Sequence, residues 1–207
     1  MRVFCILIFS FYSILSLSQS RIFDPYLSIG AVTSQVDGDG FGGYNKLGGT
    51  IAFGIHANLR KRSGFNLALG YTMKGSYDPL VPDQGDYESY KISMNYLEIL
   101  PSYTYTLHKI RFDAGTPIGI LLNYNLEDHN GTLPNDPYQF STLEFQILLG
   151  VSYQIAEKWY AGIHFQRSVF PISDFKFDTT RGFQGGSYNR LLALKISYFF
   201  TNESGRN

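Results

Sequence analysis

Phe65-Asn66-Leu67-Ala68-Leu69-Gly70-Tyr71-Thr72-Met73-Lys74 decides the fold. Every second residue is apolar or aromatic and those between are small or polar, the period-2 signature of a strand with one greasy face. Similar segments recur from Tyr26 to Phe200. The spacing predicts eight strands, at about Leu27–Gln35, Lys46–Ala57, Gly64–Tyr77, Tyr90–Leu107, Ile110–Tyr124, Phe140–Ile155, Trp159–Phe170 and Ser187–Phe200. Between them, Gly-, Pro- and Asn-rich connectors at 36–45, 78–89, 125–139 and 171–186 alternate with short turns at Asn58–Ser63, His108-Lys109 and Ala156-Glu157-Lys158. No stretch repeats apolar residues at i, i+3, i+4 and i+7 for long enough to make a helix.

An even strand number with connectors alternating long and short is the plan of a bacterial outer-membrane barrel, with short periplasmic turns and long external loops. The expected fold is therefore all-β, an eight-stranded antiparallel up-and-down transmembrane β-barrel with its four long loops outside the cell. Composition agrees. Aromatic residues make up 16% of the chain, yet mean hydropathy is only −0.10, because apolar lipid-facing positions are averaged against polar interior ones. Net charge is zero and charged residues are 16%, so nothing in the chain favours nucleic acid or another strongly charged partner.

Met1 and Arg2, the apolar stretch Val3–Leu17 and the small residues Ser16-Leu17-Ser18 read as a secretory signal over 1–18, leaving a barrel over 19–200 and a short tail over 201–207. The apolar stretch is shorter than the roughly 20 residues a spanning helix needs. Cys5 is the sole cysteine and lies inside this segment, so the mature chain has no disulfide to stabilise it.

Assigning faces gives the barrel an inside. Leu47, Ile51, Phe53 and Ile55 oppose Gly48, Thr50, Gly54 and His56; Ile110, Phe112, Ile118, Ile120 and Leu122 oppose Arg111, Asp113, Gly115, Gly119 and Asn123; Leu143, Phe145, Ile147, Leu149, Val151 and Tyr153 oppose Glu144, Gln146, Gly150, Ser152 and Gln154. The polar faces collect an interior charge network, Lys74, Glu98, Arg111, Asp113, Glu144 and Lys195, with Gln146, His164 and Gln166. Eight strands enclose a space that side chains fill, so these groups are expected to pair and leave little open channel. In the fourth strand Ile92, Met94 and Tyr96 give way to Leu97 and Ile99, a break of phase that predicts a bulge near Asn95–Leu97.

The first loop, Ser34-Gln35-Val36-Asp37-Gly38-Asp39-Gly40-Phe41-Gly42-Gly43-Tyr44-Asn45-Lys46-Leu47-Gly48, resembles that of the PorT-like outer-membrane barrels of the Bacteroidota. Asp37, Gly38, Asp39, Gly40, Tyr44 and Lys46 carry the motif. Tyr71-Thr72-Met73-Lys74-Gly75-Ser76, Met94-Asn95-Tyr96-Leu97-Glu98-Ile99, Asp113-Ala114-Gly115 and Gly185-Gly186-Ser187-Tyr188-Asn189 continue the resemblance in order, and Leu100-Pro101 departs from it, the proline falling later than usual. The resemblance implies an eight-stranded outer-membrane barrel and, through one member, a link to protein secretion.

Other constellations carry less. Asp37-Gly38-Asp39-Gly40 spaces two carboxylates as a calcium loop does but lacks its further acidic positions and closing Glu, so a glycine-rich return to the second strand is the plainer reading. His56, His108, His129 and His164 are scattered; His56 and His164 both point inward on period, too little for a zinc site. Tyr26, Trp159, Tyr160, Tyr198, Phe199 and Phe200 gather at the periplasmic strand ends and are expected to form an aromatic girdle. Arg167 and Arg190, near the outer rim, suit lipopolysaccharide phosphates. The expectation is a structural or protein-interaction barrel of the bacterial outer membrane, not an enzyme. Its partners would be outer-membrane lipid, lipopolysaccharide and envelope or secretion proteins, with no nucleic acid and no cofactor. A lipid-modifying enzyme and a small ligand-binding or pore-forming barrel are the alternatives.

Overall fold

The computed structural model describes residues 23–39, 43–79, 89–129, 131–132, 139–174 and 186–201. The signal segment and Gly40 lie outside them, as does the tail after Thr201. The strands are β1 (Phe23–Asp37), β2 (Lys46–Arg60), β3 (Ser63–Asp78), β4 (Tyr90–Leu107), β5 (Ile110–Gly115), β6 (Ile118–Asp128), β7 (Gly131–Thr132), β8 (Leu143–Ala156), β9 (Trp159–Ser168) and β10 (Tyr188–Phe199). All pairings are antiparallel, sequential neighbours pair except at β5–β6 and β7–β8, and β1 pairs with β10 from Tyr26–Phe199 to Asp37–Tyr188, which closes the sheet. β5 and β6 share one place in the wall, since both lie between β4 and β8, and β7 is a two-residue return on β6. The result is a ring of eight antiparallel up-and-down strands, as the periodicity predicts. Closure removes every free edge around the ring, the condition for placing a sheet in lipid.

The faces are those read from the sequence along most of the wall. In β3, Phe65, Leu67, Leu69, Tyr71 and Met73 are exposed on the outside, and Asn66, Ala68, Thr72 and Lys74 are buried inside. In β8, Leu143, Phe145, Ile147, Leu149, Val151, Tyr153 and Ile155 form one outward apolar row opposite buried Glu144, Gln146 and Ser152. A protein in water could not leave such rows uncovered; a lipid bilayer solvates them. Above the band the outside turns polar. Lys91, Ser93 and Asn95 of β4 pair there with Glu127, Asn125 and Asn123 of β6, and Lys91 makes a 2.8 Å ion pair with Glu127.

Two sequence readings need correction here. β4 does not change phase: Ile92, Met94, Tyr96, Glu98 and Leu100 are all buried inside, and Ile99, Tyr103 and Tyr105 point out. The irregularity opposite Asn95 and Tyr96 lies in β6, where Asn123 and Leu121 are their partners and Leu122 is the extra residue. The hydrophobic run in β4 crosses faces because the interior itself is apolar at that height. Beyond the bulge Asn123, expected inside, points outward, donated to by Asn95 Nδ2 at 2.5 Å. Pro101 stays in register, paired with Leu67. On its other side β5 pairs as far as Ser102–Gly115 and β6 begins at Ile99–Ile118, so the missing N–H of Pro101 falls where the ladder is already interrupted.

Candidate functional site in the lumen and at the outer rim

The lumen is built in three levels, because inward positions of different strands meet at set heights. In the middle, Lys74 Nζ lies 2.9 Å from Glu98 Oε1 and 2.8 Å from Glu144 Oε2, with all three side chains fully buried. Thr72 Oγ1 and Gln146 Nε2 also donate to Glu98, at 2.8 and 2.9 Å, and Ser168 Oγ donates to Glu144 Oε1 at 2.6 Å. The ammonium sits 4.1 Å from the centre of the Tyr96 ring. Every charge of this cluster is met by an opposite charge or a dipole, as burial away from water requires.

Toward the periplasm a second polar group forms around Asp113. Its Oδ1 accepts from Thr104 Oγ1 at 2.9 Å and Asn66 Nδ2 at 3.2 Å, and its Oδ2 is 3.5 Å from His164 Nε2. His56 Nδ1 contacts Asn66 Oδ1 at 2.6 Å. The Arg111 guanidinium lies 4.2 Å from the centre of the Tyr160 ring and 4.7 Å from that of Phe199, and Phe199 in turn stacks on Tyr26 at 5.0 Å. Tyr26, Tyr160 and Phe199 therefore plug the periplasmic end from inside, and only Trp159, Tyr198 and Phe200 of the expected girdle face outward, where Trp159 and Tyr198 pack at 4.8 Å. The girdle reading fails for half its members for a simple reason. Tyr198-Phe199-Phe200 and Trp159-Tyr160 are consecutive residues, and a strand sends neighbours to opposite faces.

Toward the exterior the lumen turns apolar. Val36, Ile92, Met94, Tyr96, Leu126 and Ile172 form a buried cluster over the charged belt, and Ile172 comes from the loop after β9. The period-2 reading collects polar groups on the inner face and does not anticipate this apolar cap. Its signal was present in Ile92, Met94 and Tyr96.

All six residues of the expected charge network thus lie inside, in two groups: Lys74, Glu98 and Glu144 together, and Arg111, Asp113 and Lys195 lower down. Among the described residues no cluster of three or more His, Cys, Asp or Glu has the geometry to hold a metal. His56 and His164 are engaged with Asn66 and Asp113.

The first-loop motif and the rim arginines meet outside. Arg190 Nη2 lies 2.8 Å from Asp37 Oδ1 and donates to Gln35 Oε1 at 3.0 Å; Arg167, its direct partner across β9 and β10, lies 3.7 Å from Asp37 Oδ2. The Tyr44 ring covers the Arg190 guanidinium at 5.1 Å, and the Tyr44 carbonyl accepts from Thr33 Oγ1. Asp37 is committed to arginine, and Gly38, at φ 97°, turns the chain away from β1. Lys46 Nζ donates to the Leu47 carbonyl at 3.2 Å, and Asp39 is buried.

Comparison with known proteins matches this architecture. Neisserial surface protein A superposes with a TM-score of 0.55 at 12% identity, over 85% of this chain and 97% of that one. The attachment invasion locus protein Ail of Yersinia pestis gives 0.50 at 12% identity, over 86% and 98%. At this identity the likeness shows the fold alone. No curated protein matches the chain. The family profile described as "Outer membrane protein beta-barrel domain" matches residues 18–174, and the chain belongs to that family of bacterial outer-membrane barrels.

Proposed function

We propose that this barrel is a non-conducting structural or docking component of the outer membrane that works from its external surface, in the manner of the PorT-like proteins its first loop resembles. The observation that carries this reading is the filled lumen: an aromatic plug below, a charged cluster at mid-height and an apolar cap above. A lumen of this kind has no solute path, which leaves the loops and the rim to meet partners. The arginine pair at the rim, with two guanidinium groups to one Asp37 carboxylate and set just above the apolar band, supports lipopolysaccharide phosphate as a lipid partner. A link to secretion rests on the resemblance of the first loop and on nothing else in the molecule.

Site-specific photocross-linking in intact cells tests the docking role. A probe at Tyr44 or Lys91, both above the apolar band, is expected to give one reproducible protein adduct, whereas a probe at inward-facing Leu148 gives none. Adducts of equal yield at all three positions, or none at any, would contradict it.

A further inference from the structure

The outer wall is not smooth. Across β1, β2 and β10, beside β3, a concavity of about 620 Å³ opens on the lipid-facing side. Its floor is Ala31 and Gly49, register partners at outward positions of β1 and β2 with little or no side chain. Met73 and Leu194 stand at its two sides, and Ile29 and Ile51, paired one outward row nearer the periplasm, form its foot. All four are exposed on the outer face. The groove leads up to the rim arginines. Ala31 pairs with Leu194, Thr33 with Leu192 and Gln35 with Arg190, and exposed Leu192 and Leu194 follow Arg190 down the outer face of β10. Four residues at about 3.4 Å each put the Arg190 backbone roughly 13–14 Å above the floor.

Hydrocarbon fills a concavity on this face, since the bilayer core holds no water to do so. A chain lying in the groove touches protein on its floor and both sides, whereas a chain against flat wall touches it on one side only. In lipid, such dispersion contacts are what separates one apolar partner from another. Packing alone does not choose the chain. The cations at the head of the groove do: Arg167 and Arg190 share the single Asp37 carboxylate, so a phosphate-bearing lipid of the outer leaflet has its anionic end at the rim and its chains directly below. Holding the first end raises the effective concentration of the second at the groove. We propose that the groove over Ala31 and Gly49 is the seat of one acyl chain of lipopolysaccharide, whose phosphates the rim arginines hold. The proposal rests on the reading of Arg167 and Arg190 as phosphate ligands and gives the lipid's hydrophobic half a fixed position. The barrel then holds one lipid in a set orientation along the seam between β1 and β10.

The test compares two probes on the purified barrel in zwitterionic micelles, read by native mass spectrometry: diphosphoryl lipid A, and the same phosphorylated disaccharide without acyl chains. Ala31→Leu/Gly49→Leu fills the groove and touches no charge; a Cβ at Gly49 has its nearest neighbour at 3.7 Å, so the larger side chain fits. This variant should weaken lipid A binding at least fivefold and leave the disaccharide unchanged. Val151→Leu, on the outer face of β8, should change neither, and Arg167→Ala/Arg190→Ala should weaken both. Full lipid A affinity in the folded filled variant overturns the groove, while loss of both probes in the arginine variant still upholds the phosphate reading. Unchanged lipid A binding in the arginine variant overturns both. A wild-type dimer that filling converts to monomer without loss of lipid A assigns the groove to a second copy of the chain and overturns the proposal. Should the filled variant not fold, lipid A carrying a mid-chain diazirine decides on the wild type: adducts concentrated on β1, β2 and β10 support the seat, and adducts spread evenly round the wall refute it.

Discussion

Lys74 Nζ and Glu98 Oε1 lie 2.9 Å apart with both side chains fully buried, joining β3 to β4 inside the barrel. Glu144 extends this link across the lumen to β8. An outer-membrane barrel turns its greasy face to lipid, so polar contacts of this kind hold the inside in place of an apolar core. Replacing Lys74 by Met should expose the asymmetry of buried charge: two carboxylates are left facing each other, at a cost of about 3–5 kcal/mol. Adding Glu98→Gln and Glu144→Gln should recover at least half of that loss. Urea unfolding in bilayers measures both, and a triple variant no better than Lys74→Met would show that the charges are not coupled.

Ser34 and Gly75 make a second link, between β1 and β3. The β2–β3 ladder begins only at Thr50–Thr72, so Gly75 turns its backbone to Ser34 instead. Its N–H donates to Ser34 Oγ at 2.9 Å, and its carbonyl accepts from the same hydroxyl at 3.0 Å. Ser34→Ala leaves both groups unsatisfied and should cost about 1–3 kcal/mol. Gly75→Ala should cost a similar ~1–3 kcal/mol by another route, since φ is 147° and an added Cβ would strike the Ile92 carbonyl. Equilibrium unfolding of the two single variants checks each value.

The outward row of β8 offers a depth gauge. Leu149 stands midway between Leu143 and Ile155, all three exposed on the outer face. Arginine at a bilayer midplane costs about 2–4 kcal/mol and near an interface about 0–1. Leu149→Arg should therefore destabilise the barrel several-fold more than Ile155→Arg when unfolding is measured in lipid. Equal effects would argue that this row does not face hydrocarbon.

These relationships were legible in the sequence to different degrees. Alternation alone placed the strands and inner charges, because lipid outside and packed polar groups inside impose opposite demands on adjacent residues. What alternation cannot carry is depth. Met94, Glu98 and Ser102 all face inward on β4, yet one belongs to an apolar cap, one to an ion cluster and one to the wall of a small cavity. Height depends on strand tilt and on pairing register, which long-range ladders such as Lys74–Met94 determine. The same gap explains why only the fold shows Lys74, Glu98 and Glu144 as one cluster, and why the phase break on β4 points to the wrong strand for a bulge whose extra residue, Leu122, belongs to β6.

At the rim, Arg167 and Arg190 share Asp37. Loss of a charge-assisted hydrogen bond is worth about 1.5–3 kcal/mol, so Arg167→Ala/Arg190→Ala should weaken lipopolysaccharide binding by at least about tenfold. Asp37→Asn, which frees both guanidinium groups, should strengthen it. Binding of purified lipopolysaccharide to the barrel in nanodiscs gives the comparison, and an unchanged affinity in the double variant would remove lipopolysaccharide phosphate from the account.

The central claim is a sealed lumen inside a lipid-facing barrel, and single-channel recording in planar bilayers tests it most directly. Purified wild-type protein, inserted and checked for its folded state, should give no stable conductance steps in molar salt. Reproducible long-lived openings would contradict the account, because ions cannot pass Tyr160 and Phe199, the Lys74 cluster and the Ile92–Met94 cap while all three levels stay packed.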